Sequence, residues 1–103
     1  MSHPLYDVVE FAQIGPYSLR VGFDDGSVQV IDFSAVLFGE LYEPLREPAV
    51  FCQVRLDPEL RNLVWPNGAD FDPYVLHEWP RAVEQLAQRL RQADAARSAV
   101  LVS

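Results

Sequence analysis

The sequence lacks several features that would point directly to a function. Its 103 residues include no lysine and only one cysteine, Cys52. A single cysteine excludes an internal disulfide, and without a second thiol it also excludes a cysteine zinc cluster or a thiol redox pair. No apolar run approaches the roughly 18 to 20 residues that a membrane span needs, and the first residues do not have the pattern of a secretion signal. We therefore expect a cytoplasmic protein without a membrane segment.

Patterns for catalysis and cofactor binding are missing as well. His3 and His77 have no closely spaced partner ligand, so no zinc site is predicted. There is no Gly-x-Ser-x-Gly segment, and Cys52 lies in an apolar stretch, which predicts a buried small side chain rather than a nucleophile. The glycines are scattered singly and form no phosphate-binding loop. We predict no catalytic, cofactor-binding or metal-binding residues, and we favour a non-enzymatic role.

Charge is unevenly distributed along the chain. The net charge of -7 arises from fifteen acidic residues and eight arginines. Residues 1–80 carry thirteen acids and four arginines, a balance of -9, whereas residues 81–103 carry two acids and four arginines, a balance of +2. An acidic body repels a phosphate backbone. Nucleic-acid binding is therefore not expected, unless it uses the C-terminal arginines, which are Arg81, Arg89, Arg91 and Arg97.

The residues that are present are typical of one small globular domain. Half of them are hydrophobic, which provides a core without disulfides or metals. We predict a single domain over residues 1–103, with its core in residues 5–79 and a C-terminal helix and tail in residues 80–103. The predicted fold class is α+β, a small antiparallel sheet of about four to five strands built from hairpins, with short helices and one C-terminal helix packed on one face.

The most specific structural prediction is a hairpin at Asp25-Gly26. The segments 17–23 and 27–31 alternate apolar and polar residues on either side of this dipeptide. Asp-Gly suits a two-residue type I′ turn, because both central residues then need positive φ. That turn sets Phe23 opposite Val28 and Val21 opposite Val30, and it directs their side chains to one buried face.

The rest of the chain predicts short elements and one long helix. The apolar stripe of the long helix, which Pro80 opens, contains Val83, Leu86 and Leu90. The apolar tail 99–102 is expected to form an edge strand, to cover the sheet or to meet a second subunit. The other predicted elements are a first strand over 5–11, a short helix capped by Ser34, a helical segment over 41–45, strands over 51–56 and 63–65 around a turn at 57–59, a turn at 65–68 and a helical turn capped by Asp72.

Seven aromatic residues exceed what two short hairpins need, and they are Tyr6, Tyr17, Tyr42, Trp65, Phe71, Tyr74 and Trp79. Tyrosine and tryptophan are favoured at interfaces, because the ring buries area while its polar end forms a hydrogen bond. This excess indicates an interaction surface around Trp65 to Trp79. The competing interpretation, which we favour over it, is that Trp65 and Phe71 close one end of the core. The predicted surface consists of Trp65, Asn67, Asp70, Phe71, Tyr74 and Trp79.

Several segments together resemble a bacterial domain-of-unknown-function family, number 2442. The resemblance covers residues 5–79, and its most specific part is Trp65-Pro66-Asn67-Gly68 with Asp70, supported by Phe23-Asp24-Asp25-Gly26 and Asp32-Phe33. It implies a small α+β bacterial protein without catalytic residues, encoded beside other short proteins in an arrangement like that of toxin–antitoxin pairs. Some relatives continue into a helix-turn-helix domain, whereas this chain has room for one helix and a short tail after Trp79.

Three functions remain open from the sequence. The leading hypothesis is a protein-binding module, whose partner is another protein, such as the product of a neighbouring gene, or a second copy of the chain. The second is a small-molecule-binding protein or small enzyme that uses Asp70 and Asp72 beside Trp65. The third is nucleic-acid contact through the arginine-rich C-terminal helix.

Overall fold

The computed structural model describes the backbone of residues 6–102 and the side chains of residues 6–96. The α+β class is confirmed, with five strands divided between an antiparallel three-stranded sheet of order β1-β2-β3 and the hairpin β4-β5. The strands are β1 Val8–Gly15, β2 Ser18–Phe23, β3 Val28–Asp32, β4 Arg55–Asp57 and β5 Asn62–Val64. The α-helices are α1 Gly39–Tyr42, α2 Pro48–Phe51, α3 Pro73–His77 and α4 Trp79–Val102, and 3-10 turns span Ser34–Val36 and Glu43–Arg46.

The turn between β2 and β3 contains three residues, 24–26, rather than the predicted two. The Phe23 carbonyl accepts a hydrogen bond from Gly26 N at 3.0 Å, and Phe23 N donates to the Ser27 carbonyl at 3.0 Å. Gly26 has φ of 87°, whereas Asp25 keeps a negative φ. This is a type I turn followed by a left-handed glycine, a geometry that demands positive φ at one residue only. The predicted two-residue turn was therefore wrong.

The longer turn shifts the strand register by one residue, so that β3 presents the opposite face. Val28 and Val30 lie on the outer face, with exposed fractions of 45% and 64%, and their predicted burial was wrong. Ile31 and Phe33 point inward and are fully buried. Ile31 and Phe33 share one side of the strand, and burying these larger side chains stabilises the fold more than burying the two valines. The observed pairs are Leu19 with Ile31, Arg20 with Val30, Val21 with Gln29 and Gly22 with Val28.

The segment before β4 is helical, although a strand was predicted over 51–56. Pro48 occupies the first turn of α2, where its missing N–H costs nothing. Phe51 ends this helix with its ring buried in the core. Cys52 follows on the outside of the turn and is exposed, so its predicted burial was wrong. The Cys52 thiol donates to the Ala49 carbonyl at 3.3 Å.

Two acidic side chains hold local turns by accepting backbone hydrogen bonds. Asp72 Oδ1 accepts from Tyr74 N at 2.8 Å, which confirms the predicted cap of α3. Asp32 Oδ1 accepts from Ser34 N at 2.9 Å, so the 3-10 turn over Ser34–Val36 begins beside Asp32. The prediction that Ser34 itself caps a helix was wrong, because its side chain makes no cap hydrogen bond there.

The long helix α4 begins at Trp79, one residue before Pro80, and its backbone continues to Val102. It packs mainly against the 3-10 turn Ser34–Val36 and against α1 and α3. The tail was predicted as a possible edge strand and is helical instead, while its side-chain contacts lie outside the described residues. Among the described residues, no helix combines the length and the apolar character needed to cross a membrane.

One aromatic ring lies at the centre of the core. The ring of Phe33 lies 5.8 Å from that of Phe51, 5.7 Å from that of Trp65, 5.3 Å from that of Phe71 and 5.2 Å from that of Trp79. These rings come from five separate stretches of the chain. The residue that follows β3 therefore ties the three-stranded sheet to α2, to the end of β5 and to the start of α4.

Candidate functional site

The structure distributes the predicted interaction surface between the core and the exterior. Trp65, Phe71 and Trp79 are only 1%, 4% and 6% exposed and belong to the hydrophobic core. Asn67 and Asp70 are exposed. Tyr74 is half-buried. Any contact with a partner at this segment would depend on Asn67, Asp70 and Tyr74, because the rings of the other three residues are already packed in the core.

The Trp-Pro-Asn-Gly segment is explained by its own hydrogen bonds. Trp65 N donates to the Ala69 carbonyl at 3.0 Å, and Gly68, with φ of 87°, donates its N–H to the Trp65 carbonyl at 2.9 Å. Asn67 Oδ1 accepts from Ala69 N at 3.1 Å, and Asn67 Nδ2 donates to the Leu41 carbonyl at 2.8 Å. This turn fastens the end of β5 to α1, so a structural role accounts for these residue types.

The acids proposed for a small-molecule or catalytic site are also accounted for structurally. Asp72 caps α3 at the surface. The Asp70 side chain is exposed, while its carbonyl accepts from the Tyr42 hydroxyl at 2.8 Å. The Trp65 ring is buried, and its Nε1 donates to the Phe51 carbonyl at 2.9 Å. The two carboxylates therefore do not share a cleft with the indole ring.

A charged group that the sequence did not predict lies at the other end of the sheet. We call it the His77 cluster, and it consists of Tyr6, Asp25, His77 and Glu78. His77 Nε2 lies 2.8 Å from Asp25 Oδ2, and His77 Nδ1 lies 2.6 Å from Glu78 Oε2. The Tyr6 ring stacks on the imidazole at a centroid distance of 3.6 Å and an interplanar angle of 6°. The cluster joins the turn between β2 and β3 to the end of α3.

The geometry of this cluster favours the doubly protonated form of His77. Ionised carboxylates accept hydrogen bonds but do not donate them, and a neutral imidazole has only one N–H. Both ring nitrogens of His77 lie at hydrogen-bond distance from a carboxylate. The ring therefore satisfies both partners only as the doubly protonated cation. Stacking on Tyr6 adds a favourable contact between this cation and an aromatic face.

The pKa shifts follow from the same contacts. Partial burial lowers the pKa of His77, but hydrogen bonds to Asp25 and Glu78 outweigh it and raise the pKa above 6.5. Hydrogen bonds from the Ser27 side chain and backbone, followed by the bond to His77, lower the pKa of Asp25 from 3.8 to about 2. Glu78 also lies 3.6 Å from Arg81. The cluster is thus an ion-pair network that connects separate elements.

The cluster has little capacity for chemistry in this arrangement. A general base and a metal ligand both need a free lone pair on the imidazole, and the two carboxylate contacts leave none. The described residues contain no group of three or more His, Cys, Asp or Glu side chains arranged to hold a metal ion. The arrangement instead fastens the hairpin turn to α3, with a further bond from Gln29 Nε2 to the His77 carbonyl at 2.7 Å.

The second feature missed by the sequence is the edge of the sheet formed by β3. The side chains of Val28 and Val30 project from the outer face beside this edge. The alternation of Val28 and Val30 with Gln29, Ile31 and Phe33 would have revealed this face if Phe33 had been counted with the strand. The His77 cluster had no comparable signal, because 52 residues separate His77 from Asp25.

Comparisons with known proteins identify one family. The profile of a family described as "Protein of unknown function (DUF2442)" matches residues 8–82. No curated protein matches the chain. No solved structure matches it either. The matched range contains all five strands and the whole His77 cluster except Tyr6.

Proposed function

The chain belongs to the DUF2442 family, and we propose that it is a non-enzymatic protein-binding module that uses the β3 edge of its three-stranded sheet. The observation that carries this proposal is the exposure of Val28 and Val30 at that edge. Single exposed apolar residues are common, but two on the same face of one edge strand, next to unpaired backbone groups, favour association.

This surface replaces the aromatic segment as the proposed contact region. The large rings between Trp65 and Trp79 stabilise the core and are not available to a partner without unfolding. The sequence left the partner open between another protein and a second copy of the chain, and we propose another protein. The edge of β3 offers main-chain hydrogen bonds for affinity and side-chain contacts for specificity, which is how strand addition works in known peptide-binding domains.

The other two hypotheses have less support. A small-molecule site at Asp70 and Asp72 requires convergent polar groups in a pocket, whereas Asp72 caps α3 and the indole of Trp65 is buried. Nucleic-acid contact would rely on exposed arginines of α4, yet Arg81 is paired with Glu78. The net charge of -7 also opposes a polyanion. We therefore propose neither.

Site-specific crosslinking tests the proposed function. A photoreactive amino acid replaces Val30 in one variant and Leu60, an exposed apolar residue in the other hairpin, in the control variant. In an extract of the native organism, we expect a defined crosslinked protein from position 30 and none from position 60. That protein, once purified, should form a stoichiometric complex with the unmodified chain.

A double variant checks that the complex uses the proposed edge. Val28→Asp combined with Val30→Asp should abolish the complex and leave the fold intact, because both side chains are exposed. Equal binding by the double variant, or a crosslinked protein that fails to bind when purified, would refute the proposal.

A further inference from the structure

We propose that the partner segment is an extended strand that pairs with β3, with an apolar centre and a basic side chain at the end that lies beside Asp32. This inference rests on the proposed function, because it specifies the partner of the same edge. Three observations carry it: the direction of the free backbone groups, the exposed side chains beside them and the acidic residue at the end of β3.

The strand register directs alternate backbone groups of β3 away from β2. Phe33 N donates to the Tyr17 carbonyl at 2.8 Å, which marks one hydrogen-bonded pair, and the register repeats such pairs every second residue. Residues between these pairs direct both N–H and C=O to the opposite side. In β3 they are Val28, Val30 and Asp32, and within residues 6–102 their backbone groups have no backbone partner. The edge therefore offers a donor and an acceptor at each of these positions.

The outer face beside the edge carries two valines, next to the Glu10 side chain that lies over Gly22. Val28 and Val30 are exposed there, and their neighbours on β2 are Gly22 and Arg20. A strand that pairs with β3 places alternate side chains next to the two valines. Apolar side chains at these positions would bury both valines. The centre of the partner segment is therefore apolar on one face.

An acidic residue lies at one end of β3. Asp32 is exposed at the last residue of the strand. Asp24, in the turn before the strand, lies on the side of β1, where its Oδ1 accepts from Asp7 N at 3.1 Å. The cation on the outer face, Arg20, is already paired with Glu10 at 3.4 Å. The negative charge of Asp32, on a chain of net charge -7, favours a segment with lysine or arginine at the end that lies beside it.

A second copy of the chain fits this edge less well. Antiparallel pairing of two β3 strands about Val30 would set Asp32 of one copy beside Val28 of the other. It would also bring together two chains of net charge -7. A basic segment instead neutralises Asp32, and it avoids the repulsion between two acidic chains. We therefore commit to a different protein as the partner.

Nuclear magnetic resonance titration of the labelled chain with a short peptide tests this inference. The probe alternates valine and threonine between terminal lysines, and it is added up to about 1 mM. We expect the amide signals of Val28, Val30 and Asp32 to shift and to exchange with solvent more slowly. A matched peptide with terminal glutamates should bind at least about tenfold more weakly.

Variants of the edge separate backbone pairing from side-chain contact. Val30→Pro removes an outward N–H without removing a bond to β2, and Val30→Thr keeps both the N–H and the side-chain shape. We expect the proline variant to lose peptide binding and the threonine variant to stay within about threefold of the parent chain. Thermal unfolding confirms that the proline variant is folded.

Charge is tested without changing the local hydrogen bonds. Asp32→Asn keeps the oxygen that accepts from Ser34 N, and the matched control Asp24→Asn keeps the oxygen that accepts from Asp7 N. The loss of one surface ion pair should weaken binding of the lysine peptide by about threefold in the Asp32→Asn variant, whereas the Asp24→Asn variant should bind as the parent chain does. The glutamate peptide should not lose affinity.

The outcomes distinguish this inference from the proposed function. Unshifted edge amides, or equal binding by the proline and threonine variants, would overturn strand pairing. If the peptide titration failed but the crosslinking at position 30 still captured a protein that binds when purified, the proposed protein-binding function would stand. Only the inferred form of the partner segment would then be wrong. If both experiments failed, both proposals would be wrong. Doubling of the molecular mass with protected edge amides would assign the edge to a second copy and would also overturn the inference.

Discussion

The two faces of the three-stranded sheet use the same strands and the same residue type for opposite purposes. Val21 on β2 is fully buried, whereas Val30 on β3 is 64% exposed. The inner face contacts a set of aromatic rings centred on Phe33, and the outer face contacts no such layer in the described part of the chain. A valine in a strand is therefore not evidence of a core position, because the register decides which face it occupies.

The contrast also separates stability from recognition. The inner face contributes most of the apolar burial that opposes chain entropy. The edge of β3 adds little to folding, because its valines and its outward backbone groups remain in contact with solvent. Substitutions on the inner face should therefore change the free energy of unfolding, while substitutions on the outer face should change association. The following predictions test this division from the largest effect to the smallest.

Removing the central ring should have the largest effect. Phe33→Ala deletes a fully buried side chain that contacts Phe51, Trp65, Phe71 and Trp79. We expect a loss of about 4 kcal/mol in the free energy of unfolding, measured with urea. A loss below about 1 kcal/mol would mean that the aromatic core does not stabilise this fold.

The same substitution on the two faces gives a direct comparison. Val21→Ala creates a cavity in the core and should cost about 2 kcal/mol, whereas Val30→Ala should stay within about 0.5 kcal/mol of the parent chain. Urea unfolding of both variants under one condition provides the measurement. Equal losses of unfolding free energy in the two variants would contradict the distinction between the two faces.

The turn that sets the register is the next point to test. Gly26 has φ of 87°, and a Cβ there would meet no neighbouring atom within 4 Å, so substitution introduces backbone strain without a clash. Gly26→Val should cost about 1 to 2 kcal/mol, because a β-branched residue tolerates this conformation poorly. Gly26→Asn is the matched control and should cost less, since asparagine adopts left-handed backbone more readily. Unchanged melting temperatures for both would contradict the turn geometry.

The His77 cluster should give a smaller, pH-dependent effect. His77 has a raised pKa, so its contribution to stability is complete below 6.5 and is lost as pH rises through its folded-state pKa. The pKa of Asp25 is lowered from 3.8 to about 2, so its contribution is complete above 3.8 and is lost as pH falls towards 2. The titratable and charged groups around the His77 ring are Asp25, Glu78, Tyr6 and Tyr74, and Arg81 is paired with Glu78.

Unfolding measured across pH checks this effect. The parent chain should lose stability as pH rises above about 6.5, and His77→Gln should lack that loss. Asp25→Asn keeps an oxygen for Ser27 but removes the charge, so it should lower the pKa of His77 in a magnetic resonance titration. An Asp25→Asn chain whose His77 titrates as in the parent would contradict the ion pairing.

Much of the architecture was predictable because its signals are local. The Asp72-Pro73 pair predicted the start of α3, and the Trp65–Gly68 turn was predicted from residues that satisfy one another's backbone groups. The spacing of Val83, Leu86 and Leu90 indicated the long helix, and these residues pack against the core. In each case, neighbours within a few residues decide the conformation.

The errors arose where distant contacts decide between two local solutions. Asp-Gly fits both a two-residue turn and the end of a three-residue turn, and burial of Ile31 and Phe33 selects the second. Phe51 to Leu56 has strand composition, but Pro48 starts a helical turn that buries the Phe51 ring. The His77 cluster depends on the meeting of the hairpin turn with α3, which no spacing in the sequence reveals.

Amide hydrogen exchange in the free, dilute chain tests the open edge most directly. The register predicts slow exchange at Gln29 and Ile31, whose N–H groups bond to β2, and fast exchange at Val28, Val30 and Asp32. Alternation along β3 would support an edge that is available to a partner strand. Protection of Val30 equal to that of Ile31 would show that the edge is already occupied, and it would contradict a role for β3 in binding a partner.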